Sequence, residues 1–146
     1  MKSKFAMGVI GLGMGINMLP VNRREDIPIS VTQIAGTAAQ REMMDGLAAG
    51  YGLARCTTDF MEMIDDDSLD IIGVFSPDAL HYAHCKAALM SGKHVLCTKP
   101  MVVSHDEAKD LVRLVNETGL KFMVGQTMRY EPQFAALRVM FDDGDL

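Results

Sequence analysis

The clearest chemical signal in this chain is a glycine-rich turn, Gly11-Leu12-Gly13-Met14-Gly15, which follows the apolar run Phe5–Ile10. Glycine lets the backbone bend sharply and lets a diphosphate approach with no Cβ in the way. A helix that opens after such a turn directs free N–H groups and the positive end of its dipole at the anion. The turn therefore predicts a phosphate-binding loop.

The spacing of the glycines leaves three interpretations open. The dinucleotide pattern G-x-G-x-x-G/A places its third small residue at position 16, but this chain has Gly15 followed by Ile16. The turn is then either shortened by one residue or a G-x-G-x-G loop, which S-adenosylmethionine methyltransferases also use. The third interpretation is a tight strand–helix turn that binds no ligand.

Composition narrows the class of protein. The chain has 146 residues, 49% of them apolar, which fits one domain with a substantial core. No apolar run approaches the ~20 residues of a membrane span, and a net charge of −5 without a basic stripe argues against nucleic acid as a partner. Because the first four residues lead directly into the first predicted strand, we expect no signal peptide. Three cysteines without a C-x-x-C pair indicate reduced thiols, and we expect a cytoplasmic protein.

Short apolar runs alternate with helical patterns along the whole chain. The runs with a strand pattern are Phe5–Ile10, Ile29–Ala35, 70–75, 94–97 and 121–124. The helical segments are 14–22 with a distortion at Pro20, 38–49, a short helix capped by Thr58, 79–91, a helix that opens at the capping box of Ser104 and ends at Gly119, and a last helix from Pro132. The acidic run 65–67 has the pattern of a solvated turn.

This alternation predicts an α/β fold, a doubly wound parallel sheet of about six strands with the Rossmann topology. Ligands of such sheets bind at the carboxyl ends of the strands, where the strand order reverses. The segments that follow strands are therefore the candidate site: 11–16, 36–41, 76–81, 98–101 and 125–131.

The end of the second predicted strand bears on coenzyme choice. NAD-binding domains place an acidic residue there to bind the ribose hydroxyls, but this chain has Gly36-Thr37. No carboxylate would repel a 2′-phosphate, Thr37 offers a hydroxyl, and Arg41 could supply positive charge. We therefore expect NADP(H) to be favoured over NAD(H). Methyltransferases also prefer acidic residues here and at the position of Val9, so this composition disfavours them.

Three later segments resemble one family in order and spacing. Residues 76–81 (S-P-D-A-L-H), 88–100 (A-L-M-S-G-K-H-V-L-C-T-K-P) and 125–132 (G-Q-T-M-R-Y-E-P) are similar to T-P-N-x-x-H, A-L-x-x-G-K-H-V-x-x-E-K-P and G-x-x-x-R-x-x-P. These are motifs of the glucose–fructose oxidoreductase and inositol dehydrogenase family, Gfo/Idh/MocA. The resemblance covers nearly the whole chain, and its second segment is far more specific than the glycine turn.

The resemblance implies a nicotinamide coenzyme and a position for each motif along it. Those positions are Gly11, Gly13 and Met14 against the pyrophosphate; Ser76, Pro77 and His81 along the middle of the groove; Thr98, Lys99 and Pro100 beside the nicotinamide ribose; and Gln126 and Arg129 toward the nicotinamide end. In many members the peptide bond before the proline matching Pro100 is cis.

Lys99 is the predicted catalytic residue, because it matches the lysine of the family's E-K-P motif. An amine beside a hydride-transfer centre can donate a hydrogen bond to the substrate oxygen and stabilise developing alkoxide charge. Thr98 stands where the family usually has Glu, which changes the expected charge around Lys99, and Asp78 replaces the usual Asn and adds negative charge near the groove. His81, His84 and Cys85 lie close together on one helix, but without a fourth ligand we expect no metal site.

The resemblance also implies a larger parent enzyme. Family members are usually more than twice this long, with a second α/β domain that binds substrate and often forms a dimer interface. A fragment of such an enzyme and a stand-alone coenzyme-binding module are both compatible with the sequence. The implied reaction is hydride transfer to or from a hydroxyl-bearing carbon of a sugar, polyol or cyclic diol, in a homo-oligomer. A non-catalytic dinucleotide sensor is the alternative.

Overall fold

The chain folds around one parallel sheet, which a computed structural model describes for residues 4–145. The strands are β1 (Phe5–Ile10), β2 (Ile29–Ala35), β3 (Arg55–Thr57), β4 (Ile71–Val74), β5 (His94–Thr98) and β6 (Phe122–Gly125). Their order across the sheet is β3-β2-β1-β4-β5-β6, and all the pairings are parallel. The order reverses between β1 and β4, which is the switch point of a Rossmann sheet.

Helices connect the strands and cover both faces. The α-helices are α1 (Arg41–Tyr51), α2 (Met61–Ile64), α3 (His81–Met90), α4 (His105–Thr118) and α5 (Pro132–Asp143). Short 3-10 helices span Gly15–Arg23, Ala38–Gln40, Asp78–Leu80 and Thr127–Tyr130. No helix within residues 4–145 combines the length and apolar character needed to cross a membrane.

Alternating residues of the central strands pack into two separate hydrophobic cores, one on each face of the sheet. On one face, Ile72 and Val74 of β4 pack in a cluster with Leu89 of α3 and Leu111 of α4. The other face is a cluster that includes Met7, Val9, Leu19, Ile34 and Met44. Burial on both faces explains why the strands read as nearly continuous apolar runs.

The predicted doubly wound parallel sheet is confirmed, and most predicted elements are present. The segment after the glycine turn is a 3-10 helix that contains Pro20, which has no N–H to donate to a regular helix turn. The prediction of Thr58 as a helix cap is wrong: α2 begins at Met61, whose N–H donates to Oδ1 of Asp59 at 2.9 Å. The three-residue strand β3 is too short for a periodic signal.

A buried lysine holds the loop before β4. Nζ of Lys93 donates to the carbonyl oxygens of Asp66 at 2.7 Å and Leu69 at 3.1 Å, and only 4% of Lys93 is exposed. The carboxylate of Asp66 accepts from the N–H of Ser68 at 2.8 Å and from Nε2 of Gln33 at 2.6 Å. Hydrogen bonds from Ser68 and then Gln33 lower the pKa of Asp66 to about 2. The prediction of a solvated turn is therefore wrong for Asp66, which is half-buried.

Candidate functional site

A cavity of about 550 Å³ lies at the switch point of the sheet, above the carboxyl ends of β1, β2, β4 and β5. Its size is typical of a small-molecule site. Nine of the residues predicted from the sequence line it: Gly11, Gly13, Met14, Gly36, Thr37, Ser76, Pro77, Thr98 and Lys99. Parallel topology therefore brings together loops that are up to 88 residues apart in the chain, the separation between Gly11 and Lys99.

The three glycines of the turn meet different steric demands. Gly11 has φ +91°, and a Cβ there would lie 2.5 Å from backbone atoms of Phe75 and Ser76. A Cβ on Gly13 would meet nothing within 4 Å, so this glycine leaves open space at the cavity wall. A Cβ on Gly15 would lie 2.8 Å from Cγ1 of Val9, so Gly15 lets the following helix pack closely on β1.

These demands correspond to a tight turn, an open approach and a close helix–strand contact, the three tasks of a dinucleotide-binding loop. The third small residue, Gly15, comes one position early in the sequence and is the first residue of the 3-10 helix.

The glycine turn also presents unpaired donors. No acceptor within residues 4–145 pairs with the N–H groups of Gly13 and Met14, whereas the N–H of Gly11 donates to the carbonyl of Ala35 at 2.9 Å. Both unpaired groups belong to residues that line the cavity, immediately before the 3-10 helix. Adjacent backbone N–H groups at such a position favour an anion. The residues present thus fit a phosphate group on steric and on hydrogen-bonding grounds.

The loop after β2 forms the neighbouring wall without a carboxylate. Thr37 donates from both its N–H and its hydroxyl to Oε1 of Gln40, at 3.0 and 3.1 Å. Gln40 lies across Gly36, because a Cβ on Gly36 would be 3.0 Å from that same oxygen. Gln40 also lines the cavity, although the sequence analysis did not select it.

Arg41 does not reach this wall. It begins α1, its Nε lies 3.2 Å from a carboxylate oxygen of Asp45 one helical turn later, and its side chain is 57% exposed. The expected positive charge beside Thr37 is therefore absent from the cavity lining. Residue spacing alone could not show this, because α1 directs the guanidinium along its own surface.

The loop after β4 contributes polar groups held by two histidines. Ser76 is buried, and its hydroxyl lies 2.8 Å from Nδ1 of His84. The His84 ring lines the cavity and lies 4.3 Å, centroid to centroid, from the ring of Phe60. Burial, and to a smaller degree the nearby His81, lowers the pKa of His84, which favours a neutral ring beside Ser76.

His81 does not line the cavity, contrary to expectation. It is fully buried, with Nε2 2.7 Å from the carbonyl oxygen of Ser76 and Nδ1 2.7 Å from that of Pro100. His81 thus bridges the carbonyl oxygens of Ser76 and Pro100, and ties the loop after β4 to the loop after β5 from behind the cavity wall.

The loop after β5 places Lys99 on the cavity wall. Its side chain is exposed, and its amine has no hydrogen-bond or ion-pair partner in the described part of the chain. The Lys99–Pro100 peptide bond is cis. Pro100 itself lies outside the lining, and its carbonyl accepts from His81. The amine of Lys99 is thus available to a ligand in the same cavity as the glycine turn.

Gln126 and Arg129 lie away from this cavity. Both are exposed, and Arg129 borders a separate groove with Phe134 and Arg138. They follow β6, the edge strand, which is two strands beyond β4 in the sheet. The whole segment from residue 126 to 145 is exposed, so α5 has no buried residue to hold these side chains toward the switch point.

Several residues that line the cavity were not predicted as site residues from the sequence. Among them are Gln40, Thr58, Phe60 and His84. The helical pattern does not single out His84, since His81, one turn earlier on the same helix, lies behind the cavity wall. No group of three or more His, Cys, Asp or Glu side chains within residues 4–145 is arranged to hold a metal ion.

Comparison with known proteins places the chain among oxidoreductases. The profile of an oxidoreductase family with an NAD-binding Rossmann fold, GFO_IDH_MocA, matches residues 5–126. An inositol 2-dehydrogenase from Mycolicibacterium smegmatis is 34% identical over 100 residues, 68% of this chain and 29% of that protein. A scyllo-inositol 2-dehydrogenase (NADP(+)), IolW, from Bacillus subtilis is 31% identical over 85 residues, 58% of this chain and 24% of that protein.

A solved structure has the same fold over almost the entire chain. The NAD binding oxidoreductase from Klebsiella pneumoniae superposes with a TM-score of 0.84 at 27% identity, covering 99% of this chain and 40% of that one. The chain thus spans well under half the length of the proteins that it matches.

Proposed function

The chain belongs to the Gfo/Idh/MocA oxidoreductase family, and from this premise we propose that its cavity binds a nicotinamide dinucleotide for hydride transfer. The observation that carries the proposal is that an open glycine turn with unpaired N–H groups and a lysine with an unpaired amine line the same cavity. The turn suits the diphosphate, and the amine suits the reacting end.

The coenzyme would lie along the switch point. The N–H groups of Gly13 and Met14 would donate to the pyrophosphate. The adenosine ribose would lie toward the loop after β2, where Gly36 and Thr37 line the cavity. The nicotinamide ribose would then lie toward Thr98 and Lys99, on the far side of β4 from β2.

A bound nicotinamide coenzyme supplies the hydride donor or acceptor, and the chain supplies polar groups around it. The amine of Lys99 would donate a hydrogen bond to the oxygen of the substrate carbon and stabilise negative charge as it develops there. His81, through the carbonyl of Pro100, would hold the backbone next to Lys99 in place. Gln126 and Arg129 would join this end only if α5 and the preceding turn repositioned around a ligand.

We assign the substrate class by analogy with the named relatives. The inositol dehydrogenases among them act on a cyclic polyol, so a sugar, polyol or cyclic diol in a homo-oligomeric parent enzyme is the proposal for this chain. For the coenzyme we propose NADP(H) over NAD(H), because no carboxylate lines the cavity beside Gly36 and Thr37. One relative is named for NADP(+), whereas the Klebsiella structure is named for NAD.

Calorimetric titration of the purified chain with NADPH, NADH and S-adenosylmethionine tests this proposal. We expect both nicotinamide coenzymes to bind, NADPH more tightly, and S-adenosylmethionine not to bind. Binding of S-adenosylmethionine alone would indicate a methyltransferase-type site. No binding of either coenzyme by the folded chain would refute the proposal.

A further inference from the structure

The orientation of the Gln40 amide is fixed by its partner. A backbone N–H can only donate, so the side-chain atom 3.0 Å from the N–H of Thr37 must be the carbonyl oxygen of Gln40. The Thr37 hydroxyl donates to the same oxygen at 3.1 Å. The amide nitrogen of Gln40 therefore faces away from Thr37, and its two N–H groups have no acceptor within residues 4–145.

Gln40 also occupies the place of an acidic residue at the end of β2. A Cβ on Gly36 would lie 2.8 Å from Cδ1 of Leu12, 3.0 Å from Oε1 of Gln40 and 3.0 Å from Sδ of Met44. Position 36 can thus carry no side chain while Gln40 is folded over it. The cavity lining contains a single carboxylate in the described residues, that of Asp78 on the other side of the glycine turn.

We propose that Gln40 is the residue that selects the coenzyme at the ribose 2′ position, by donating its free amide N–H groups to a 2′-phosphate. This inference rests on the proposed dinucleotide site. A 2′-phosphate offers only acceptors to such donors, and a hydrogen bond to a charged acceptor is stronger than one to a neutral hydroxyl. Arg41, the residue predicted from the sequence, is instead paired with Asp45 outside the cavity.

Gln40→Glu is the sharpest test, because it changes the chemistry and keeps the local fold. A Glu carboxylate can accept the same two hydrogen bonds from Thr37, as in the capping box S/T-x-x-E. The free donor pair, however, becomes a negatively charged acceptor. It should repel a 2′-phosphate and accept from a ribose hydroxyl.

The affinities of wild type and variant for NADPH and NADH, and for the fragments 2′,5′-ADP and 5′-ADP, are measured by calorimetry. We expect the NADPH-to-NADH affinity ratio to fall by about ten- to hundredfold in Gln40→Glu. The fragment ratio should fall in parallel, because the change acts on the ribose alone. Gly46→Glu is the matched control: it adds the same charge to α1 where a side chain has free space, and it should leave both ratios within about twofold.

A shift in the Gln40→Glu ratio of fivefold or less would overturn the assignment while leaving the dinucleotide site intact. Failure of the wild type to bind either coenzyme would instead refute the proposed function. If the variant does not fold, the side-chain amide signal of Gln40 in nuclear magnetic resonance spectra of the wild type decides the matter. A larger shift with 2′,5′-ADP than with 5′-ADP supports the inference, and equal shifts overturn it.

Discussion

Replacing Gly11 by alanine should lower the stability of the fold, whereas replacing Gly13 by alanine should weaken ligand binding and leave stability unchanged. At Gly11 the added Cβ would lie 2.5 Å from the carbonyl carbon and oxygen of Phe75 and from the nitrogen of Ser76. These are backbone atoms of the two residues that directly follow β4, so they cannot rotate away as a side chain could. The φ of +91° adds backbone strain of about 1–2 kcal/mol for a residue with a Cβ, and overpacking adds roughly 1–3 kcal/mol.

Gly11→Ala should therefore lower the free energy of unfolding by about 2–5 kcal/mol. In a chain of this length a loss of 3 kcal/mol corresponds to a fall in melting temperature of about 10 °C. Gly13→Ala should change the unfolding free energy by no more than about 0.5 kcal/mol, because its Cβ would meet nothing within 4 Å. The same Cβ would stand where the diphosphate approaches, and NADPH affinity should fall about tenfold or more.

Urea unfolding followed by circular dichroism gives the stabilities, since the chain has no tryptophan for fluorescence. Calorimetric titration with NADPH gives the affinities. A stable Gly11→Ala variant would refute the steric reasoning about the turn. A Gly13→Ala variant that binds NADPH as tightly as the wild type would show that the open space at Gly13 does not receive the diphosphate.

Three further perturbations follow from the structure. Lys93→Met removes the buried amine that donates to two loop carbonyls, so urea unfolding should show a free energy of unfolding lower by about 2–3 kcal/mol. A variant as stable as the wild type would show that these hydrogen bonds do not stabilise the fold. Hydrogen bonds from Ser68 and Gln33 lower the pKa of Asp66 to about 2, below its ordinary value of 3.8. The folded chain should therefore lose stability as the pH falls from 4 toward 2, and Asp66→Asn should flatten this part of a curve of unfolding free energy against pH. Lys99→Ala should leave the melting temperature within about 2 °C, since its exposed amine has no partner among residues 4–145, and a larger loss would assign it a structural role.

The parallel sheet and most of the cavity could be predicted because both follow from chain order. Apolar runs that alternate with helices admit few topologies, and the carboxyl ends of parallel strands share one edge. Gly11, Ser76 and Lys99 therefore had to lie near one another if the strands were correct. The end of β2 lies at the same edge, so Gly36 in that position indicated that no acidic residue binds the ribose hydroxyls there.

The sequence-based prediction and the structure differ at residues whose place in the site depends on the direction of the side chain and not on chain order. Arg41 and Gln40 are adjacent in the chain, yet Gln40 folds back on Thr37 while Arg41 pairs along α1 with Asp45. His81 and His84 are separated by one helical turn, and only the second faces the cavity.

Residues after β6 follow a strand at the sheet edge, and no buried contact of α5 fixes where they lie. Motif spacing specifies the loop that carries a residue, whereas the direction of its side chain depends on packing that no short pattern contains.

The most direct test of the central claim is a nuclear magnetic resonance titration of the labelled chain with NADPH. One ligand should shift the backbone amides of Gly13, Met14, Ser76 and Lys99 together, because these residues line one cavity, and leave those of α5 unchanged. Shifts that include the glycine turn but not Lys99, or shifts confined to the groove beside Arg129, would contradict the account.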